Sequence, residues 1–378
     1  MKKSQTINPF QYGKVVEESY FIDRENELRD IKNTVKAGNN VILYAPRRYG
    51  KTSLIKKLLN EIDSPYCAYI DLYRANDIRS FIKLYSNIIC KTQNRPIKDF
   101  LKKLRTLLKS FTPSVSFDEL GNPTWSFQFK EQKDEVESIS EVLDLPHNLI
   151  PQNEKFYVVF DEFQEISFLN SEYFEKQLRS TIQFHTNVSY IFMGSKTHLM
   201  LEMFNSKNKA LYKSGKLYSL GKIDKSIMKE FLMNRFQETS VTISDKILDD
   251  LLLLTNNIPY YNQYLAAQLW DVCRELNHPQ NDVLNLALQR VLENQNDYYI
   301  TLYENLTLYQ RRVLEAIIRD NKNIFSKEYS ITHKLSTPSS TQRAVEALVG
   351  YGIIEKEDKS YHFSDPFFSK WLILRNYA

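Results

Sequence analysis

Glycine is scarce in this sequence of 378 residues, with 9 against 24 tyrosines and 22 phenylalanines. The bias reads as a compositional habit of the host genome and carries no function of its own. Cysteine is scarcer still. Cys67, Cys90 and Cys273 are an odd count without CxxC spacing, which argues against a disulfide scaffold or a zinc site and suits a reduced, cytoplasmic setting. Long apolar runs are missing as well. Stretches such as Leu251–Leu254 fall far short of the roughly 20 residues that span a bilayer, so no membrane association is expected. The opening MKKSQTINPFQYG has two lysines but no apolar stretch behind them and does not read as a signal peptide. No charge of one sign dominates: the net +4, taken as spread over the whole length, neither requires nor excludes a polyanionic partner. Internal repeats and low-complexity tracts are also absent.

What remains is the balance of a soluble globular protein, 42% hydrophobic and 25% charged, long enough for two or three domains. Asp23–Lys36 reads as a helix that Asp23 caps, with Leu28, Ile31 and Val35 on one face. Asn40–Tyr44 suits a buried parallel strand, Ser53–Ile62 a helix, Tyr66–Leu72 a second strand and Asp77–Cys90 another helix. This rhythm predicts a parallel sheet with helices on its faces. Residues 92–152 interrupt it. A basic segment leads there to two alternating stretches around ELGNP that read as a hairpin, followed by a helical Val136–Leu145. Such an insertion suits either a partner contact or an edge decoration. Strands resume at Phe156–Phe160 and Ser189–Met193, with a helix over Ser171–His185 between them, and residues 224–300 read as helical throughout.

The strongest chemical signal is Ala45-Pro46-Arg47-Arg48-Tyr49-Gly50-Lys51-Thr52, followed by Ser53. It matches the phosphate-loop pattern G-x-x-x-x-G-K-S/T except that Ala45 replaces the first glycine. Gly50 lets the backbone curl so that successive N–H groups face phosphates, Lys51 adds a mobile positive charge, and the Thr52 hydroxyl suits Mg²⁺. The helix that follows offers its N-terminal dipole to the anion. Tyr157–Glu162 is an apolar strand that delivers Asp161, fit to orient Mg²⁺ through water, and Glu162, fit to act as general base. Ser195, after the Ser189–Met193 strand, is placed either to sense a γ-phosphate or simply to form a Gly-Ser turn. Arg47 and Arg48 face phosphates, a neighbouring subunit or solvent. Arg179 suits a finger for a neighbouring site, or an ordinary ion pair.

Near the carboxyl end, Thr307–Asp320 is amphipathic through Leu308, Val313, Leu314, Ile317 and Ile318. Ser326–Lys334 and Ser339–Val349 read as further helices, the latter capped by Ser339, and Ile353–Glu355 and Tyr361–Phe363 as a wing around an EDKS turn. Three helices and a wing form a winged helix-turn-helix, with Thr341, Gln342 and Arg343 early in its third helix and able to face bases. Glu346 opposes phosphate there, so double-stranded DNA and a protein partner both remain open.

Several segments together resemble the prokaryotic, archaeal-type AAA+ ATPases of the STAND superfamily. They are NPFQYG, Phe21–Leu28 (FIDRENEL), YAPRRYGKTSL, Asp71–Tyr73 (DLY), Val158–Ile166 (VVFDEFQEI), Phe192–Met200 (FMGSKTHLM), Thr255–Ala266 (TNNIPYYNQYLA) and Ser364–Leu372 (SDPFFSKWL). The resemblance implies that Ile22, Asp23 and Arg24 lie near adenine, that Ser195 occupies the sensor position and that Pro259 belongs to a lid motif touching nucleotide. Three departures stand out. Ala45 replaces glycine, Asn256-Asn257-Ile258 stands where glycines precede the lid proline, and Leu211-Tyr212-Lys213-Ser214 lacks the arginine of a Tyr-Gly-Arg segment. The last two bear on turnover and inter-subunit triggering more than on binding.

The expected fold is α/β: a P-loop NTPase core with a parallel sheet (1–225, inserted segment 92–152), a helical lid (226–300) and a winged helix-turn-helix (301–378). ATP with Mg²⁺ is expected between core and lid, held by Lys51, Thr52 and Asp161, with Glu162 activating water. A slow nucleotide-dependent switch, DNA-associated through its winged helix, competes with a ring-forming motor that loads or remodels DNA or protein. The sequence leaves the oligomeric state open. No LSGGQ-like segment is present, which argues against ABC-type transport.

Overall fold

A computed structural model describes residues 7–14, 20–93, 95–130, 135–169, 171–276, 282–357 and 360–377. The chain falls into two compact units. One comprises Arg24–Pro46 and Lys51–Gly221; the other gathers the residues before Arg24, the loop Arg47–Gly50 and everything from Lys222.

In the first unit, α1 (Glu25–Lys36) buries Leu28, Ile31 and Val35. Asp23 does not cap it, contrary to expectation. Asp23 and Arg24 both adopt left-handed backbone (φ 47° and 80°), Arg24 takes the cap position without a side-chain bond, and Glu25 and Glu27 meet the helix dipole instead. Next come β1 (Val41–Tyr44), α2 (Lys51–Ile62), β2 (Cys67–Asp71) and α3 (Ile78–Lys91), where Asp77 and Ser80 form a capping box. The insertion holds α4 (Ile97–Leu107), the antiparallel pair β3 (Phe111–Phe117) and β4 (Pro123–Phe129), α5 (Glu135–Leu143) and α6 (Leu145–Leu149). After it follow β5 (Phe156–Asp161), α7 (Ser171–Ile182), β6 (Val188–Gly194), α8 (Thr197–Asn205) and β7 (Lys216–Ser219).

The central sheet runs β2-β5-β6-β1-β7, and every pairing in it is parallel. Its middle strands β5 and β6 are buried along nearly their whole length and mostly apolar, as suits strands of a sheet covered on both faces. β7 was not foreseen. Lys216–Ser219 is a four-residue edge strand, too short to show alternation.

The second unit contains α9 (Lys225–Glu238), α10 (Asp245–Leu254), α11 (Pro259–Leu276) and α12 (Val283–Glu304). α13 (Leu308–Arg319), α14 (Lys327–Thr332), α15 (Pro338–Gly350), β8 (Ile354–Glu357), β9 (Ser360–Phe363) and α16 (Pro366–Tyr377) form a winged helix. The amino-terminal NPFQYG packs here too. Asn8 Nδ2 donates to Ala267 O (3.1 Å) and Asp271 Oδ1 (3.0 Å), and Phe10 meets Phe236 at 4.8 Å.

Three expectations about the winged helix change. Leu308 is 75% exposed, because it sits at the first position of α13, where the turn faces away from Val313, Leu314 and Ile317. Thr337, not Ser339, caps α15, since Pro338 takes the first helical position and leaves Thr337 Oγ1 to accept from Ser340 N (3.3 Å). Thr341 is buried, donating to Thr337 O (3.2 Å) and paired with the Tyr309 hydroxyl (2.9 Å), so it faces no base. Residues 358 and 359 of the EDKS turn lie outside the described residues. Among the described residues no helix is long and apolar enough to cross a membrane.

Candidate nucleotide site

β1 ends at Tyr44, and the chain turns at once into the loop that precedes α2. Ala45 is buried and its φ is not positive. Left-handed backbone falls instead on Arg48 (φ 72°) and Gly50 (φ 90°), so alanine at the first position introduces no strain. Lys51 opens α2 and is itself buried. Its Nζ donates to Ala45 O (2.7 Å) and Pro46 O (2.9 Å), which holds the ammonium inside the curl of the loop. Thr52 and Ser53 are half-buried in the first turn of α2, and Pro46 is half-buried ahead of it. Arg47 is exposed.

Arg48 is bound within its own unit. Its guanidinium lies 4.8 Å from the Tyr260 ring and 4.7 Å from the Tyr261 ring, and reaches Asp365 Oδ2 at 3.4 Å. Asp365 in turn caps α16 through Phe367 N (2.9 Å) and accepts from the Tyr299 hydroxyl (3.1 Å). Burial pushes the Asp365 carboxyl above its ordinary value, and the Arg48 charge opposes that rise. Tyr49 is half-buried in the same unit. Burial raises its hydroxyl, with the Glu357 and Glu355 carboxylates adding to the shift.

Asp161 closes β5. Thr52 Oγ1 lies 3.4 Å from Asp161 Oδ2, and the Tyr69 hydroxyl on β2 donates to the same oxygen. Burial lifts the Asp161 carboxyl above its usual range. The Tyr69 bond and the charge of Lys51 counter this, while neighbouring Glu162 adds to it. A hydroxyl beside a carboxylate is an all-oxygen donor pair suited to a hard cation such as Mg²⁺. Among the described residues no cluster of His, Cys, Asp and Glu could hold a metal alone. Thr52 and Asp161 are the residues here that would hold such an ion.

Glu162 sits in left-handed backbone (φ 51°, ψ 47°), the kind of strain that surrounding bonds must hold in place. Its Oε2 accepts from Gln164 Nε2 (2.6 Å), Ser195 Oγ (2.7 Å) and Ser195 N (3.3 Å). Gln164 Oε1 accepts from the same Ser195 N (3.3 Å), which closes a small ring of bonds. The sheet order makes this possible, because β6 lies between β1 and β5 and so carries Ser195 to Glu162. Gly194 is required at this point: a Cβ there would fall 2.3 Å from Met200 Sδ and 2.6 Å from Gln164 Oε1.

Other candidates are placed less directly. Arg24 is buried, with its guanidinium donating to Glu27 (2.7 Å) and Gly221 O (2.6 Å). Ile22 is buried in the helical unit's core and Asp23 is exposed. Pro259 is buried at the first position of α11. Asn256 and Asn257 before it are both left-handed (φ 53°), so asparagine does there what glycine would do. Lys213 is left-handed as well (φ 53°). Arg179 is half-buried on α7 and forms no ion pair among the described residues. Tyr69 and Gln164 were not singled out from sequence. Gln164 lies inside the quoted DEFQEI, but only the fold shows that it touches both Glu162 and Ser195.

The model of a family described as "ATPase domain predominantly from Archaea" matches residues 21–262, and that of a "probable winged helix domain" matches residues 297–373. No curated protein matches. Among solved structures, the Walker-type ATPase PABY2304 of Pyrococcus abyssi is similar, with a TM-score of 0.66 and 20% identity over 97% of this chain and 99% of that one. The ORC2 protein of Aeropyrum pernix, in ADPNP–ADP complexes, has a TM-score of 0.52 and 13% identity over 98% of this chain and 100% of that one. At these identities the likeness is one of fold.

Proposed function

This chain belongs to the family of ATPase domains found predominantly in Archaea, and on that footing we propose that it binds and hydrolyses ATP with Mg²⁺ as a nucleotide-dependent switch of the STAND kind. In this reading residues 1–225 are the ATPase core, 226–300 the lid and 301–378 the winged helix. Ile22, Asp23, Arg24 and Pro259 serve the adenine side. Ala45 to Ser53 wrap the phosphates, with Lys51 as the point charge and the amino end of α2 as a dipole. Thr52, and Asp161 through water, would hold Mg²⁺, which when bound would supply neutralisation of phosphate charge. Glu162 takes a proton from the attacking water, and Ser195 and Gln164 keep its carboxylate aimed.

The observation that carries the reading is the ring of bonds among Glu162, Gln164 and Ser195, set beside the Thr52–Asp161 pair. A structural turn would have no need to fix a strained glutamate with three donors. The winged helix fits the role of a protein-contact or supporting module better than that of a base reader. α15 exposes Arg343 as its cation, Gln342 is bonded to Glu346 (2.9 Å), and Thr341 is buried.

The test is ATP hydrolysis by the wild type and by Glu162→Gln, with and without duplex DNA, followed by sizing in ATP. We expect slow turnover that falls by roughly 100-fold or more in the variant while nucleotide still binds. DNA-stimulated turnover with ATP-dependent assembly would instead point to a ring motor. A wild type that neither binds nor hydrolyses ATP would overturn the reading.

A further inference from the structure

The net charge is not spread evenly, as composition alone suggested. Residues 91–130 hold eight Lys and Arg against three Asp and Glu, a net of +5 in a chain whose total is +4. The rest of the insertion, 131–152, carries one lysine against six Asp and Glu, so its positive charge is concentrated in the stretch that holds α4 and the hairpin.

Within it, α4 sorts its residues by face. Phe100 and Leu104 are buried against the hairpin, with Phe100 edge-to-face on Trp125 at 4.9 Å. Lys98, Lys102 and Arg105, followed by Lys109 beyond the helix end, recur at spacings of four, three and four residues. That period places Lys98, Lys102 and Arg105 in one stripe, Lys109 follows beyond the helix end, and all four are exposed. No ion pair engages them among the described residues. Lys130 Nζ donates to Lys109 O (2.8 Å), which adds a further cation beside the stripe. Behind it, half-buried Lys103 is pushed below its ordinary value mainly by burial, with the Arg95 charge adding to the shift.

We propose that the exposed stripe Lys98–Lys102–Arg105, with Lys109 beyond it, is a sequence-independent contact for the phosphate backbone of duplex DNA. The span from Lys98 to Arg105 covers about 10 Å of helix axis, along which B-form DNA presents about six phosphate charges. Lys98, Lys102 and Arg105 on that span, with Lys109 just beyond it, bring four cations on long flexible stems within reach of several of those charges. A protein partner fits less well, because protein interfaces centre on apolar or aromatic residues, and α4 contributes none to the exposed large hydrophobics. An anionic membrane fits less well too. The insertion's exposed apolar side chains, Phe117 and Leu120, flank Asp118 and Glu119 at the hairpin turn, which would carry two carboxylates towards acidic lipid.

The experiment measures binding of a fluorescent duplex of random sequence by anisotropy, without ATP, across a salt series. The wild type is compared with the variant in which Lys98, Lys102, Arg105 and Lys109 all become Gln, and with Arg343→Ala in α15. Four phosphate contacts predict that wild-type affinity falls about 100-fold between about 50 and 200 mM salt through these contacts. The quadruple variant should lose that part, its slope of log K on log salt becoming shallower by about 3–4. Arg343→Ala should shift the slope by about 1 at most. Unchanged binding in the quadruple variant overturns the proposal. So does wild-type binding to phosphatidylserine vesicles without binding to the duplex, or a collapse of binding in Arg343→Ala alone. Because the four side chains are exposed, melting temperature and ATP turnover should match the wild type. Those two readouts separate a failure of this contact from a failure of the ATPase reading.

Discussion

Asn256 and Asn257 share the same left-handed φ of 53° but differ in what their side chains do. Asn256 is exposed, whereas Asn257 Nδ2 donates to Ile223 O (2.8 Å) and its Oδ1 accepts from Asn262 Nδ2 (3.1 Å). Asn262 is wholly buried and accepts from the Thr255 hydroxyl, so the pair anchors the turn ahead of Pro259. Asn256→Gly should leave stability within about 0.5 kcal/mol, because relief of the left-handed backbone offsets the added freedom of the unfolded chain. Asn257→Gly should lower stability by about 1–2 kcal/mol, since it removes two hydrogen bonds and leaves buried groups unpaired. Urea denaturation of both variants checks this, and equal losses would show that the side-chain bonds contribute nothing.

Single elements raise the question of what holds the insertion together. Its hairpin shows water a face of small polar residues and packs Phe111 and Trp125 inward. Trp125 is 3% exposed, and its Nε1 has no hydrogen-bond partner among the described residues. An indole that buries its ring without satisfying its N–H is there for volume. Trp125→Ala should therefore cost about 3–5 kcal/mol locally, whereas Trp125→Phe should cost less than about 1.5 kcal/mol because no bond is lost. Hydrogen exchange across Phe111–Phe129 reads this out. If Trp125→Phe deprotects the hairpin as much as Trp125→Ala does, the argument from volume fails.

For the whole molecule, bound nucleotide must appear as stability, because a ligand held only by the folded state shifts unfolding by mass action. Mg²⁺–ATP at one hundred times its Kd should add about 2.7 kcal/mol and raise the Tm by several degrees, and EDTA should remove most of the gain. Lys51→Ala should abolish the increment. The baseline Tm of that variant is a poor guide, since Lys51 also bonds Ala45 O and Pro46 O and its loss leaves loop carbonyls unpaired. The ligand-dependent increment is the readout. A full increment in Lys51→Ala would place the nucleotide somewhere other than this loop.

Much of this was legible from residue order alone. Gly50-Lys51-Thr52 behind an apolar strand, Asp161-Glu162 at the end of another, and the helical runs opening at Asp77 and Thr307 are local patterns. Local chemistry such as a curl, a cap or a helical face is written within a few neighbouring positions. Contacts across the sheet are not. That β6 lies between β1 and β5, that Tyr69 bonds Asp161 and that Gln164 joins Glu162 to Ser195 depend on pairings between distant strands. No short window of sequence encodes such pairings. The same division explains the misplaced details. Asp23 and Ser339 have the right side chains for capping, but backbone conformation decided against them, and Thr341 has a polar side chain that packing drew inward. Residue types thus determined which chemistry this chain carries, and the tertiary structure decided which of those groups meet, because only long-range packing brings them within bonding distance.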